Sequence, residues 1–115
     1  MDRKELLRRI VLNAICDDYE NIDQVILRDA RDTAEKLDLT IERTDVVEAL
    51  KGLIDDGLAK AYLLSPSKPW VTELAGMPSV EVPEEYFKTY FYISKKGMDL
   101  HLSDDSWWPF EDREE

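Results

Sequence analysis

The sequence predicts a small α+β fold that contains more helix than strand. Three stretches repeat apolar residues at spacings of three and four, the period of an amphipathic helix. Two later stretches, LAKAYLL and TYFYIS, are rich in residues that favour β-strands. The 115 residues, 43% of them hydrophobic, suffice for one modest core. We therefore expect one domain over residues 1 to 103, followed by an acidic, aromatic tail over residues 104 to 115.

The three helices are placed by their apolar stripes and by their end signals. The first is predicted over residues 3 to 19. Asn21 or Asp23 can cap the second helix, because a short polar side chain accepts hydrogen bonds from free backbone N–H groups. The third is predicted to start at a Thr44 cap and to end at Gly57, which tolerates a left-handed backbone. The residues of the third helix predicted to face inward are Val46, Val47, Leu50, Leu53 and Ile54.

Two strands follow the third helix and are predicted to pair in an antiparallel ribbon. The first covers residues 58 to 64 and the second residues 89 to 94. Ser94 then caps a short last helix. One face of the first strand is assigned Leu58, Tyr62 and Leu64, and the other face Lys60.

The connection between the two strands is long and contains several prolines. It also contains apolar side chains, which predict an ordered loop packed on the domain. These apolar residues are Trp70, Val71, Leu74 and Met77.

Three helices, a β-ribbon and a closing helix, in this order, compose the winged helix-turn-helix. Two passages resemble transcriptional regulators of the PadR and MarR kinds. The pattern L-x-x-L-x-x-x-G-L from Leu50 to Leu58 resembles their passage from recognition helix into wing. The segment YISKKG, residues 92 to 97, resembles the start of the helix that follows their wing. The resemblance covers roughly residues 5 to 103 and implies a DNA-binding transcriptional regulator.

By this resemblance residues 43 to 56 are the recognition helix, and the loop after Leu64 is the wing. Base reading needs Arg, Lys, Asn or Gln on the exposed helix face, with more cations at the phosphates. However, residues 42 to 56 contain five carboxylates and only two cations, and the whole chain has a formal net charge of −11. The electrostatic field of this negative charge repels the phosphate backbone of DNA. The candidate DNA-binding residues are Arg43, Thr44, Lys51 and Lys68.

The acidic third helix also suits two other interpretations. It can be a solvated surface that keeps a small domain soluble, or it can bind a basic protein by complementary charge. The second interpretation predicts a winged-helix adaptor that binds protein and not DNA. The first helix has the one concentration of cations, interpreted as a solvated helix edge with a phosphate site as the alternative: Arg3, Lys4, Arg8 and Arg9.

Aromatic residues on the second strand and in the tail form a candidate partner interface. Alternation along a strand places some of them outside the core unless another element covers them. Either the tail folds back over its own ribbon, or it docks on a neighbouring chain in a homodimer. The residues of this candidate interface are Tyr90, Tyr92, Trp107, Trp108 and Phe110.

The sequence offers little for catalysis or for cofactors. His101 is the only histidine and Cys16 the only cysteine, so a Cys and His metal cluster and an internal disulfide are both excluded by count. The four glycines are too far apart for a phosphate-binding loop. We therefore expect no enzyme activity, no cofactor and no metal. The N-terminus lacks the apolar core of a signal peptide and no apolar run would span a bilayer, which predicts a cytoplasmic protein.

Overall fold

The computed structural model describes residues 2 to 80 and 89 to 103. These residues form four α-helices and a three-stranded antiparallel sheet, which confirms the predicted α+β class. The sheet has the strand order β2-β1-β3. The helices are α1 (Arg3–Ala14), α2 (Leu27–Lys36), α3 (Arg43–Asp55) and α4 (Lys95–Ser103), and the strands are β1 (Ala59–Leu64), β2 (Val71–Glu73) and β3 (Thr89–Ile93).

Helix α1 ends at Ala14, so the predicted extension of the helix to residue 19 was wrong. Beyond α1 the backbone turns towards the edge of the sheet and exchanges its helical hydrogen bonds for bonds with β3. The Ile93 N–H donates to the Ile15 carbonyl at 3.1 Å, and Glu20 and Phe91 exchange two backbone hydrogen bonds at 2.8 and 2.9 Å. The apolar pattern extends beyond the helix because Ile15 is a core residue of the turn.

A π-helical turn, Ile22–Ile26, leads directly into α2. Asn21, one of the two residues predicted as a cap, caps this turn: its side-chain oxygen accepts the backbone N–H groups of Asp23 and Gln24 at 2.9 and 3.1 Å. The Asn21 amide also donates to the Thr89 carbonyl at 3.3 Å. Asn21 is 1% exposed, so these bonds satisfy a buried polar side chain and join the turn to β3.

Helix α3 begins one residue before the predicted cap, so Thr44 was wrongly assigned as the N-cap. Glu42 is the N-cap, and its backbone N–H donates to the Asp45 carboxylate at 2.8 Å. This hydrogen bond belongs to a capping box, which lets the helix start without a Ser or Thr cap. Gly57 has φ +78°, which confirms the predicted left-handed residue after the helix. The buried residues of α3 are Val46, Ala49, Leu50 and Leu53, and Val47 and Ile54 pack more shallowly against the core.

The predicted antiparallel pairing of the two strands is confirmed, with Ala61 opposite Phe91 and Tyr62 opposite Tyr90. The predicted face assignment on β1 was wrong, because alternation places Tyr62 on the same face as Lys60. Ala59 and Ala61 form the buried face instead. Small side chains here leave room for the helices that cover the inner side of the sheet.

The ribbon has a third strand that the sequence did not predict. β2 pairs antiparallel with β1, with Leu64 opposite Val71, so residues 65 to 70 form the loop of a hairpin. Leu74 and Met77 pack against the core, as expected of an ordered connection. Trp70 and Val71 are 56% and 43% exposed, so the prediction that they also pack on the domain was wrong. Residues 81 to 88 lie outside the described part of the connection.

Helix α4 is joined to the α3–β1 corner by Ser94. The Ser94 hydroxyl accepts the Gly97 N–H at 3.0 Å, which confirms the predicted cap, and donates to the Gly57 carbonyl at 2.6 Å. The Ser94 N–H donates to the Leu58 carbonyl at 2.9 Å. The two passages that carry the family resemblance therefore meet in space.

Candidate interaction surfaces

Arg43, the first candidate DNA-reading residue, is engaged within the protein. Its Nε donates to Asp23 Oδ1 at 2.8 Å and its Nη2 donates to Asp23 Oδ2 at 3.2 Å. The same Nη2 donates to the Val80 carbonyl at 2.7 Å. About a quarter of each partner side chain is exposed. The planar guanidinium thus joins α3 to the π-helical turn and to the segment after β2.

The other candidate DNA contacts are exposed but separate. Thr44 lies in the first turn of α3, and Lys51 lies two turns further on. Lys51 Nζ forms an ion pair with Asp55 Oδ2 at 2.8 Å, which offsets its charge on the helix surface. Lys68 lies in the loop between β1 and β2. The positive charge that binding to a DNA backbone needs is therefore divided between α3 and the loop between β1 and β2, and carboxylates partly offset it.

A groove of about 510 Å³ lies between α1 and α3. Arg3 Nη2 contacts Asp45 Oδ2 at 3.3 Å, and Arg8 donates to the Asp56 carboxylate and to the Gly52 carbonyl. The hydrogen bond and positive charge of Arg8 lower the pKa of Asp56 below its ordinary value. The cations of α1 thus face carboxylates within α3 and at its C-terminal end across the groove. Their contacts do not favour the phosphate-site alternative.

Arg9, the remaining paired cation of this cluster, contacts Glu5 within α1 at 3.0 Å. Lys4 is exposed and lines the α1–α3 groove. The predicted solvated helix edge is thus replaced, at Arg3 and Arg8, by contacts between helices. Neither contact could be seen in the sequence, because the partners are more than 40 residues apart.

Tyrosines gather on the outer face of the sheet. The ring centroids of Tyr19 and Tyr62 are 5.0 Å apart with the planes at 86°, and those of Tyr19 and Tyr92 are 4.9 Å apart with the planes at 34°. Tyr90 lies opposite Tyr62 on the same face. The sequence predicts an interface role for Tyr90 and Tyr92 but not for Tyr19 and Tyr62. The period-2 alternation of β1 was the signal that could have found Tyr62.

Carboxylates lie beside these tyrosines. Burial and the nearby carboxylates of Asp18, Asp17 and Asp29 raise the pKa of Glu20. Burial and the Tyr19, Glu73 and Tyr92 side chains raise the pKa of Tyr62. Both shifts disfavour the anionic form, with burial as the main cause and neighbouring carboxylates adding to it.

A second groove, of about 340 Å³, lies between α1 and α2 and is lined by Cys16, Asp17, Asp29 and Asp32, among others. Burial, followed by the Asp17 charge, raises the pKa of the Cys16 thiol. Burial also raises the pKa of Asp29, and Asp32 and Asp17 add to this against the opposing effect of Arg28. Over residues 2 to 80 and 89 to 103, no group of three or more His, Cys, Asp or Glu side chains is arranged to hold a metal ion.

Three residues of the candidate partner interface, Trp107, Trp108 and Phe110, lie outside the described residues. Within the described part, no helix has the length and apolar character needed to cross a bilayer.

No protein-family model, curated protein or solved structure matches this chain.

Proposed function

We propose that this chain is a winged-helix protein that binds another protein and does not use α3 to read DNA. The winged-helix assignment is supported by the order of the elements, three helices followed by a β-hairpin, a third strand and a closing helix. It is also supported by the left-handed Gly57 between α3 and β1, in the position that the family resemblance assigns to a glycine.

The observation that carries the proposal is the engagement of Arg43. An arginine that reads a guanine directs both arms of its guanidinium to the base edge. In this chain Nε and Nη2 of Arg43 donate to the Asp23 carboxylate, and Nη2 also donates to the Val80 carbonyl. Base reading would require breaking a largely covered, two-point ion pair, and the Asp23 carboxylate would then lose its partner.

The charge of α3 supports the same conclusion. Glu48, Asp55 and Asp56 are exposed on this helix or at its end. Lys and Arg side chains strengthen DNA binding because they neutralise phosphates and release counterions, whereas carboxylates at the same surface repel the backbone. The same carboxylates attract a basic protein and orient it during encounter.

DNA binding through α3 and the β1–β2 loop is the second candidate function. The order of elements favours it, and so does the exposure of Thr44, Lys51 and Lys68. On this alternative Lys51 exchanges Asp55 for a phosphate. Since that ion pair is exposed, the exchange would cost little.

A titration against mixed genomic duplex fragments distinguishes the two functions. We expect no binding at physiological salt and at most weak binding at low salt. The variants Lys51→Ala and Lys60→Ala remove the same charge, from α3 and from the sheet respectively. Binding that persists at physiological salt, with a steep salt slope, and that is weakened by Lys51→Ala but not by Lys60→Ala would overturn the proposal.

A further inference from the structure

Four tyrosines form one continuous aromatic surface, which we name the tyrosine face: Tyr19, Tyr62, Tyr90 and Tyr92. The strand register places three of them together, with Tyr62 opposite Tyr90 and Tyr92 opposite Lys60. Tyr19 arrives from the turn after α1 and contacts two of the rings. Phe91 and Ile93 point to the other side and are buried in the core. The tyrosine face is thus separate from the α1–α3 surface.

Tyr19 packs against Tyr62 and Tyr92, and all four rings of the tyrosine face remain at least partly accessible. Tyr19 is 39% exposed, and the other three are partly exposed. Tyrosine is enriched at protein interfaces because its ring offers a large apolar area at low conformational cost while its hydroxyl bonds to water or to a partner. Mutual packing fixes the rings before a partner arrives, which reduces the entropic cost of binding.

Carboxylates border the tyrosine face on two sides. Asp17, Asp18 and Glu20 lie in the turn that carries Tyr19, and Glu73 lies on β2. Glu73 is paired with Lys60 at 3.3 Å. Burial is the main cause of the raised pKa of Glu20, and the neighbouring charges of Asp18 and Asp17 add to it. The surface therefore combines exposed aromatic rings with excess negative charge.

We propose that the tyrosine face docks an arginine-rich segment of a partner protein. A guanidinium can stack on an aromatic ring and donate hydrogen bonds to a carboxylate at the same time, because it is planar and has five N–H donors. The ammonium group of lysine lacks the planar stacking surface, so arginine is favoured over lysine. This inference rests on the proposed protein-binding function and adds a contact on the sheet to the acidic surface of α3.

Charge argues against two other occupants. The chain's own tail, residues 104 to 115, contains six carboxylates and one cation. Docking it here would bring like charges together. A second copy of the chain would bring the same acidic border against itself in a symmetric dimer. A cationic segment is the occupant that neutralises the border.

The test is a fluorescence-anisotropy titration of the full chain with a labelled peptide of alternating Arg and Gly, and with Lys and Glu counterparts. We expect the Arg peptide to bind at physiological salt, the Lys peptide to bind at least about fivefold more weakly, and the Glu peptide not to bind. Tyr19→Ala should weaken binding of the Arg peptide at least about fivefold, because it removes one stacking surface. Amide chemical shifts of the unmodified chain should change at residues 17 to 20 and along β3.

A matched pair of charge variants separates docking at this face from general attraction to an acidic protein. Asp18→Asn removes one charge beside the tyrosine face, while an amide oxygen can still accept the Tyr19 N–H that Asp18 now accepts at 2.7 Å. Glu48→Gln removes one charge from α3. We expect the first variant to weaken binding of the Arg peptide more than the second.

Four results would overturn the inference. The first is an equal effect of the two charge variants together with no effect of Tyr19→Ala. The second is a set of chemical-shift changes confined to the α1–α3 groove. The third is a dimer, detected by sedimentation, that the Tyr92→Ala variant dissociates. The fourth is stronger peptide binding by the Trp107→Ala and Trp108→Ala variants, which would mean that the tail occupies the tyrosine face. Failure of the proposed function is distinguishable, because it requires duplex binding that depends on Lys51.

Discussion

Replacing Gly97 by alanine should destabilise the fold, because α4 passes very close to the start of β1 at this residue. A Cβ at position 97 would overlap the Leu58 carbonyl oxygen and lie 2.8 Å from Ile93 Cγ1. The carbonyl is part of the backbone and also accepts the Ser94 N–H, so it cannot simply rotate away. Overpacking lowers the free energy of unfolding by about 1–3 kcal/mol, and the higher helix propensity of alanine raises it by at most about 1 kcal/mol relative to glycine. Because the group that a Cβ would overlap is a backbone carbonyl, we expect the free energy of unfolding to fall by about 2 kcal/mol overall.

Gly52→Ala is the matched control, since it makes the same substitution in α3. A Cβ at position 52 would lie 3.5 Å from Arg8 Nε, an ordinary van der Waals contact. Here the helix propensity dominates, and we expect a gain of about 0.4–1 kcal/mol. Urea unfolding of both variants, followed by circular dichroism, gives the two free energies of unfolding. Destabilisation of the same sign and size in both would refute the argument that close backbone approach selects glycine at position 97.

Three further predictions concern stability. Leu53→Ala should lower the free energy of unfolding by about 2–5 kcal/mol in urea titrations, because Leu53 is fully buried. Gly57→Val should lower the melting temperature, because a β-branched residue resists a φ of +78°. Glu20→Gln should raise stability at pH 7 by no more than about 0.5 kcal/mol, since Glu20 is partly exposed and solvent screens its charge. Because the pKa of Glu20 is raised in the folded state, the negative charge of Glu20 lowers the stability of the fold at pH values above that pKa. The stability gained by Glu20→Gln should therefore vanish in thermal melts run at a pH below 4.5, the ordinary pKa of the carboxyl group.

The features that the sequence predicted correctly are those that a local pattern specifies. The apolar stripe of α3 identifies Leu50 and Leu53 as core residues, and both are fully buried. A glycine after the last helical turn indicates a left-handed residue, and Gly57 has that conformation. β-branched and aromatic residues identify β3 from composition. In each case the signal lies within a few residues of the feature.

The features that the sequence did not predict depend on contacts between distant residues. Asp23 and Arg43 are 20 residues apart, and no local pattern indicates that they pair. Tyr19 lies near Tyr62 only because α1 ends early and its turn bonds to the sheet. β2 is three residues long and all three are exposed, so its hydrogen bonds to β1, and not its composition, define it as a strand.

The role of Arg43 can be tested by a double-mutant cycle with Asp23, using Arg43→Lys and Asp23→Asn. Lysine retains the charge but cannot make the two-point contact at 2.8 and 3.2 Å or reach the Val80 carbonyl in the same geometry. Since both side chains are about three-quarters covered, we expect a coupling energy of about 1 kcal/mol in urea unfolding. The exposed Lys51–Asp55 pair is the control and should couple by about 0.3–0.5 kcal/mol.

The same Arg43→Lys variant separates a structural role from a DNA-reading role, because it keeps the attraction of a cation for phosphate. If Arg43 connects α3 to the π-helical turn, its replacement lowers the free energy of unfolding and leaves any weak duplex binding at low salt unchanged. If Arg43 instead reads a base, the variant loses sequence preference in competition titrations, since a bidentate contact contributes about 1–3 kcal/mol of discrimination. Loss of sequence preference with unchanged stability would therefore contradict the structural role and restore α3 as a DNA-reading helix.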